Sequence, residues 1–261
     1  MGIGNNYETD RTKIFNNFCA TTPYVSYKNS LSTAQRDTSV FVSDNVDSRF
    51  AENVINQYAD LAGKNKTVKN VVILSSPDLS EVDEMKELDN KSKETIKDYI
   101  QNGAEDAYGF YTKKSDTIVI IQSNHNRKEE KYEGTLEEQG ADTMLHEYAH
   151  LLDTNISSSK EYKQAYLADL KSIEEQLKQN PDAKIGNSDM TYREAMIYFD
   201  HYYEGADFSD GIDENDVTRR GLRENFAESY ATVFDNCKSD VNAIYKALFP
   251  NTTDFVREFV A

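Results

Sequence analysis

Hydrophobic positions change their spacing several times along the chain. The first 45 residues are polar, rich in Ser, Thr and Asn, and weakly periodic. They are expected to form an irregular N-terminal arm with at most one short helix. From Ser48 onward, Phe50, Val54, Ile55, Tyr58, Leu61 and Ala62 recur at helical spacing, and Gly63 stops the run. Residues 68–74 are short and β-branched and end at Ser75-Ser76-Pro77, which predicts a strand. Residues 80–102 return to helical spacing through Val82, Met85, Leu88, Ile96, Tyr99 and Ile100, and Gly103 closes them. Two strand-like runs follow, 107–112 and 117–122, joined by Lys113-Lys114-Ser115-Asp116 as a hairpin. A polar loop over 123–134 leads into a helix over about 135–153. The rest reads as helices over 161–179, 192–203, 220–234, 241–248 and 253–260, interrupted by an acidic, Gly-containing loop at 204–219.

This order predicts an α+β fold: a small mixed sheet, then a mostly helical C-terminal half. The run 117–122 could lie at the sheet edge, just before the 135–153 helix, where an extended peptide would pair with it. A fully paired interior strand fits the same pattern. No repeat and no low-complexity linker interrupts the chain, so 46–261 is expected to form a single domain.

Composition narrows the functional classes. Among 261 residues, 46 Asp and Glu against 29 Lys and Arg give a net charge of −17. Such a chain is a poor binder of nucleic acid or anionic membranes. Nothing approaches the roughly 18 consecutive apolar residues of a membrane-spanning helix, so no membrane insertion is expected. The first residues, Met1-Gly2-Ile3-Gly4-Asn5-Asn6, lack the basic and apolar regions of a secretory signal peptide. The 17 Tyr and 12 Phe supply large buried area for a core. Cys19 and Cys237 are too few and too far apart for a disulfide scaffold or a local metal pair.

The chemistry concentrates at His146-Glu147-Tyr148-Ala149-His150. Two histidines four residues apart project from one face of a helix, one turn above the other. Both imidazoles can then reach one zinc ion, with Glu147 beside it as a general base. An ordinary surface helix would also carry such residues, but Met144, Leu145, Tyr148, Ala149, Leu151 and Leu152 make this one mostly apolar. Burying these polar groups there costs several kcal/mol unless they are paired or bound to a cation. A catalytic zinc needs a third protein ligand and keeps its fourth position open. His125 and His201, the other histidines, sit in no ligand motif. The better candidates are Glu224 and Glu228, one turn apart in Glu224-Asn225-Phe226-Ala227-Glu228, with Glu224 favoured. That gives a His₂Glu set from two helices.

His146-Glu147-Tyr148-Ala149-His150-Leu151-Leu152-Asp153 followed by Glu224-Asn225-Phe226-Ala227-Glu228 resembles the catalytic domain of anthrax lethal factor and its relatives, among them the clostridial Pro-Pro endopeptidases. The likeness runs from about residue 107 to the C-terminus, through Ala247-Leu248-Phe249-Pro250 and the aromatic helix at 255–259; residues 1–65 match nothing in the family. It implies a zincin-like metallopeptidase domain with one zinc ion on His146, His150 and Glu224 and with Glu147 as base. Asp153 and Glu228 would orient a ligand histidine or the site. It also implies a gluzincin-type endopeptidase acting on an extended peptide or protein. Such a protease is a secreted bacterial toxin or an effector delivered into a host cell, with a toxin translocation partner. The family carries a Tyr before the zinc-binding Glu as oxyanion donor, where this chain has Val217; Tyr202, Tyr203 or His201 could serve instead. Two alternatives remain at this level. A catalytically silent docking module shares the fold but lacks the metal residues. A structural zinc site would close its fourth position with Cys or His.

Overall fold

The computed structural model describes residues 27–28, 38–125, 135–209, 211–234 and 240–260. The chain is α+β, with a five-stranded mixed sheet followed by helices. Its contacts divide into two compact units, one of residues 27–125 with Leu136–Met144, the other of residues 145–260.

The first unit contains the sheet. Strand β1 (Tyr27–Lys28) pairs antiparallel with β2 (Ser39–Val42), and β2 pairs parallel with β3 (Asn70–Leu74). Between them, helix α1 (Ser48–Ala62) begins at Asp47, whose carboxylate accepts the backbone N–H groups of Arg49 and Phe50. After β3 come α2 (Leu79–Glu84) and α3 (Asn90–Tyr99). The chain then turns through a π-helical turn, Ile100–Ala104, where Gly103 takes φ 115°, a conformation costly for other residues. The hairpin follows as β4 (Gly109–Thr112) and β5 (Thr117–Ile121). Strand order is β1-β2-β3-β5-β4. One sheet face contributes Phe41, Val72, Leu74, Val119 and Ile121 to a core filled by Val82, Met85, Leu88 and Ile96 of the helical segment. The alternate residues Val71, Ile73, Ile118 and Ile120 are just as buried.

The pairing on both sides corrects the expected edge strand. Thr117–Ile121 lies between β3 and β4, and the edge is β4. Four consecutive β-branched apolar residues belong to a strand covered on both faces, so the pattern fits its interior place. A second correction concerns the N-terminal arm. Ser39–Val42, inside the stretch expected to be irregular, is a strand in register with β3. Its short run, Ser-Val-Phe-Val, is ordered by pairing rather than by its own propensity. The remainder of the arm before residue 38, apart from 27–28, lies outside the described residues, as do 126–134 of the predicted polar loop. Its start is instead a helical turn, α4 (Gln122–His125).

Helix α5 (Leu136–Leu152) begins in this unit. At Gly140 a Cβ would stand 2.5 Å from the Phe50 ring, so the missing side chain lets the helix approach that closely. His125 is buried here, with Nδ1 2.8 Å from the Ile121 carbonyl and Nε2 2.9 Å from Thr143 Oγ1.

Asp89 gives this unit a pH dependence. Burial opposes its ionisation, but hydrogen bonds from Lys69 Nζ and from the Ser92 hydroxyl and backbone N–H hold its pKa down to about 2. Its carboxylate therefore stabilises the fold fully above the ordinary value of 3.8, and that contribution disappears as pH falls toward 2. Asp89→Ala is expected to cost about 1 kcal/mol at neutral pH, as loss of a helix cap does. Urea midpoints for the two proteins should draw together as pH falls from about 4 through about 2; a constant gap would reject the linkage.

The second unit is helical. It takes the end of α5, then α6 (Lys160–Gln179), α7 (Tyr192–Tyr198), α8 (Arg219–Phe234), α9 (Asp240–Leu248) and α10 (Pro250–Val260). Helix α8 packs against α6, α9 and α10. Pro250 opens α10 at its first turn, where no backbone N–H is needed. The freed N–H groups of Asn251 and Thr252 are accepted by the buried carboxylate of Asp169 on α6. The run expected as one helix over 192–203 breaks. Helix α7 starts with a Thr191–Glu194 capping box and ends at Tyr198; Phe199 leaves helical geometry, and a 3₁₀ turn spans Asp200–Tyr203. That turn packs against α8. Among the described residues, no helix is long and apolar enough to cross a membrane.

Candidate metal centre

The last three turns of α5 and the first three of α8 supply the candidate groups. On α5, Leu145, Tyr148 and Ala149 are buried, which holds the opposite face, with His146 and His150, toward α8. On α8, Phe226, Ala227 and Tyr230 are buried while Glu224 keeps partial exposure. The rotation of α8 is fixed by Asn225, which sequence reasoning did not single out. It is fully buried, accepts from Tyr162 Oη at 2.7 Å and donates to Tyr245 Oη at 2.7 Å, tying α8 to α6 and α9. Flanked by Glu224 and Phe226, Asn225 carries no local pattern that would have found it; only its partners on α6 and α9 single it out.

The result is convergence on one carboxylate oxygen. His146 Nε2 lies 3.3 Å and His150 Nε2 3.4 Å from Glu224 Oε2. The imidazole rings are 5.0 Å apart and nearly perpendicular. One ligand atom from each of the three residues falls within 4.8 Å of the others. These separations are long for hydrogen bonds, which centre near 2.9–3.0 Å. They match donors placed around a small cation: ligands at roughly 2.0–2.1 Å in tetrahedral array stand about 3.3 Å apart.

Electrostatics agree with a cation site. His146 donates Nδ1–H to Glu228 Oε2 at 3.0 Å, so a neutral ring turns its Nε2 lone pair toward the Glu224 carboxylate. Lone pair against carboxylate is repulsive unless a proton or a metal ion lies between them. Burial opposes charge on His146, yet its contacts with Glu224 and Glu228 carry its pKa well above the ordinary imidazole range. Glu224 responds in the opposite direction. Burial would raise its pKa, but His146 and His150 hold it well below the usual carboxylate range. In effect a proton on His146 Nε2 stands where a metal ion between that nitrogen and the Glu224 carboxylate would serve.

The remaining predicted residues divide. Glu147 is buried beside His146. Glu228 sits behind His146 and also accepts from Tyr202 Oη at 3.0 Å. Asp153 turns elsewhere: its carboxylate accepts the backbone N–H and hydroxyl of Ser157, at 3.0 and 2.6 Å, and closes the turn after α5. It therefore holds the chain rather than a ligand ring. His150 Nδ1 is buried with no hydrogen-bond partner among the described residues. Tyr203 Oη is likewise buried and unpartnered there. Val217 ends the 3₁₀ turn Glu214–Asp216. His201 is exposed and paired with Asp200. Cys19 and Cys237 lie outside the described residues.

No family model matches this chain, and no curated protein matches its sequence.

Proposed function

We propose that this protein is a zinc-dependent endopeptidase of the His₂Glu type, with His146, His150 and Glu224 holding one zinc ion and Glu147 as general base. The observation that carries the reading is the meeting of two imidazole nitrogens and one carboxylate oxygen at separations suited to a tetrahedral cation, with an acid next in sequence to the first ligand. Nitrogen and carboxylate donors in this ratio suit zinc. Held by these three residues, a zinc ion would supply Lewis acidity toward a peptide carbonyl and an attacking water. The carboxylate of Glu147 accepts the proton of that water and delivers it to the amine released from the scissile bond. Glu228 fixes His146 in the tautomer that presents Nε2, as carboxylates behind ligating histidines do.

This reading brings with it a zincin-like domain. It also brings an extended peptide or protein substrate and the role of a secreted or host-delivered bacterial toxin protease with a translocation partner. These follow from the resemblance of the two motifs. The silent docking module is disfavoured because the metal-ligand set is complete.

The test joins elemental analysis to a peptide library. Purified protein should carry one zinc per chain and cleave members of the library. A strong chelator should stop cleavage, and added zinc should restore it. Protein that takes up no zinc, or zinc-loaded protein that cleaves nothing, rejects the reading.

A further inference from the structure

We propose that Tyr202 is a positioning residue for the metal ligand His146, acting through Glu228 rather than on a substrate. The inference rests on the proposed metal centre and deepens it. Tyr202 Oη donates to Glu228 Oε2 at 3.0 Å, and His146 Nδ1 donates to that same oxygen at 3.0 Å. Glu228 is 5% exposed, so water does little to solvate its carboxylate. Two donors on one carboxylate oxygen fix its direction more tightly than one, and with it the plane of the His146 ring.

The phenol is held for this purpose from several sides. Helix α7 ends at Tyr198, Phe199 leaves helical geometry, and the 3₁₀ turn Asp200–Tyr203 that carries Tyr202 redirects the chain. Its backbone carbonyl accepts Tyr166 Oη at 2.8 Å from α6. Its ring packs against Tyr245 at 5.4 Å, Phe199 at 5.9 Å and His146 itself at 6.3 Å between centroids. A continued α-helix through residue 203 would turn each side chain by about 100° from the last and would not keep this placement. The phenol's single proton is already committed to Glu228, so it is not free to stabilise a developing oxyanion. Tyr202 thus leaves the list of oxyanion candidates and joins the support of the ligand shell.

The experiment uses the full chain with Tyr202→Phe, which keeps the ring and removes only the hydroxyl. Zinc affinity is measured by chelator competition, and the visible spectrum is recorded after cobalt loading. Removing a partner directly behind a ligand typically costs 10–100-fold in affinity, and Tyr202 stands one bond further out, so a loss of about 3–10-fold is expected. The cobalt absorption should shift, because ring orientation changes the ligand field. In a Glu228→Ala background the same Tyr→Phe change should have no effect on affinity, since the coupling passes through the lost carboxylate. Unchanged affinity and spectrum in Tyr202→Phe overturn the proposal. So does an equal loss with and without Glu228, which would mark a general packing role. Wild-type protein that binds neither zinc nor cobalt removes the metal centre itself, a failure separate from these.

Discussion

Glu147→Gln should abolish proteolysis while leaving one zinc per chain. The substitution keeps the size of a side chain that is 6% exposed, so it opens no cavity. What it removes is basicity. An amide cannot take the proton from the attacking water, nor return it to the leaving amine. General base catalysis contributes about 10²–10⁴-fold, and this group is asked to serve both halves of the reaction. A fall in kcat of roughly 10³-fold or more is therefore expected. The check is steady-state cleavage by wild-type and variant proteins at equal zinc content. Full activity in the variant would reject Glu147 as the base and the mechanism with it. Loss of zinc together with activity would show instead that Glu147 helps to build the site.

Metal affinity should rank Glu224→Ala well below Glu228→Ala. Glu224 Oε2 is the point that both imidazole Nε2 atoms share, at 3.3 and 3.4 Å. Glu228 reaches only the far nitrogen of His146. Truncating a carboxylate behind a ligating histidine costs roughly 10–100-fold; deleting a ligand should cost more than that range. Competition with a chelator of known affinity orders the two variants. If Glu228→Ala is the weaker binder, the third ligand must be reassigned. Glu228→Ala should also lower stability, because it strips two partly buried donors, His146 Nδ1 and Tyr202 Oη, of their shared acceptor.

The structure also explains why the outer shell of this site is uneven. His146 has a carboxylate behind it and a phenol behind that. His150 Nδ1 has no comparable partner among the described residues, and Asp153, three residues on, accepts from Ser157 instead. The two candidate ligand histidines are thus held by different means: His146 by a hydrogen bond to Glu228, His150 by packing on a largely buried helix face. Variants behind His146 should therefore disturb the centre more than variants around Asp153.

Several parts of this arrangement were legible in the sequence because their periods are local. The helix beginning at Ser48, the strand ending at Leu74 and the hairpin around Lys113-Lys114-Ser115-Asp116 follow from spacing, caps and turn residues. The pairing of His146 with His150 is of the same kind, since a four-residue interval on one helix fixes a common face whatever surrounds it. Other parts were not legible. The β-branched run at 118–121 fits a strand covered on both faces, but which strands pair on each side of it depends on partners far away in the chain. Strand Ser39–Val42 is short and weakly patterned, and it is ordered by its neighbour.

By itself, then, the sequence determined most of the secondary elements, the acidic composition, the pairing of His146 with His150 on one helix face beside Glu147, and Glu224 and Glu228 as candidates for a third ligand. Only the tertiary structure decided their partners. It chose Glu224 over Glu228 for the meeting point with both histidines and placed Glu228 behind His146. It also sent Asp153 to Ser157 and broke the helix at Phe199 so that Tyr202 could reach Glu228. The physical reason is range. Helical periodicity is set by hydrogen bonds four residues apart and can be read along the chain. The rotation of α8 about its axis is set by Asn225 and its bonds to Tyr162 and Tyr245, partners 63 and 20 residues away.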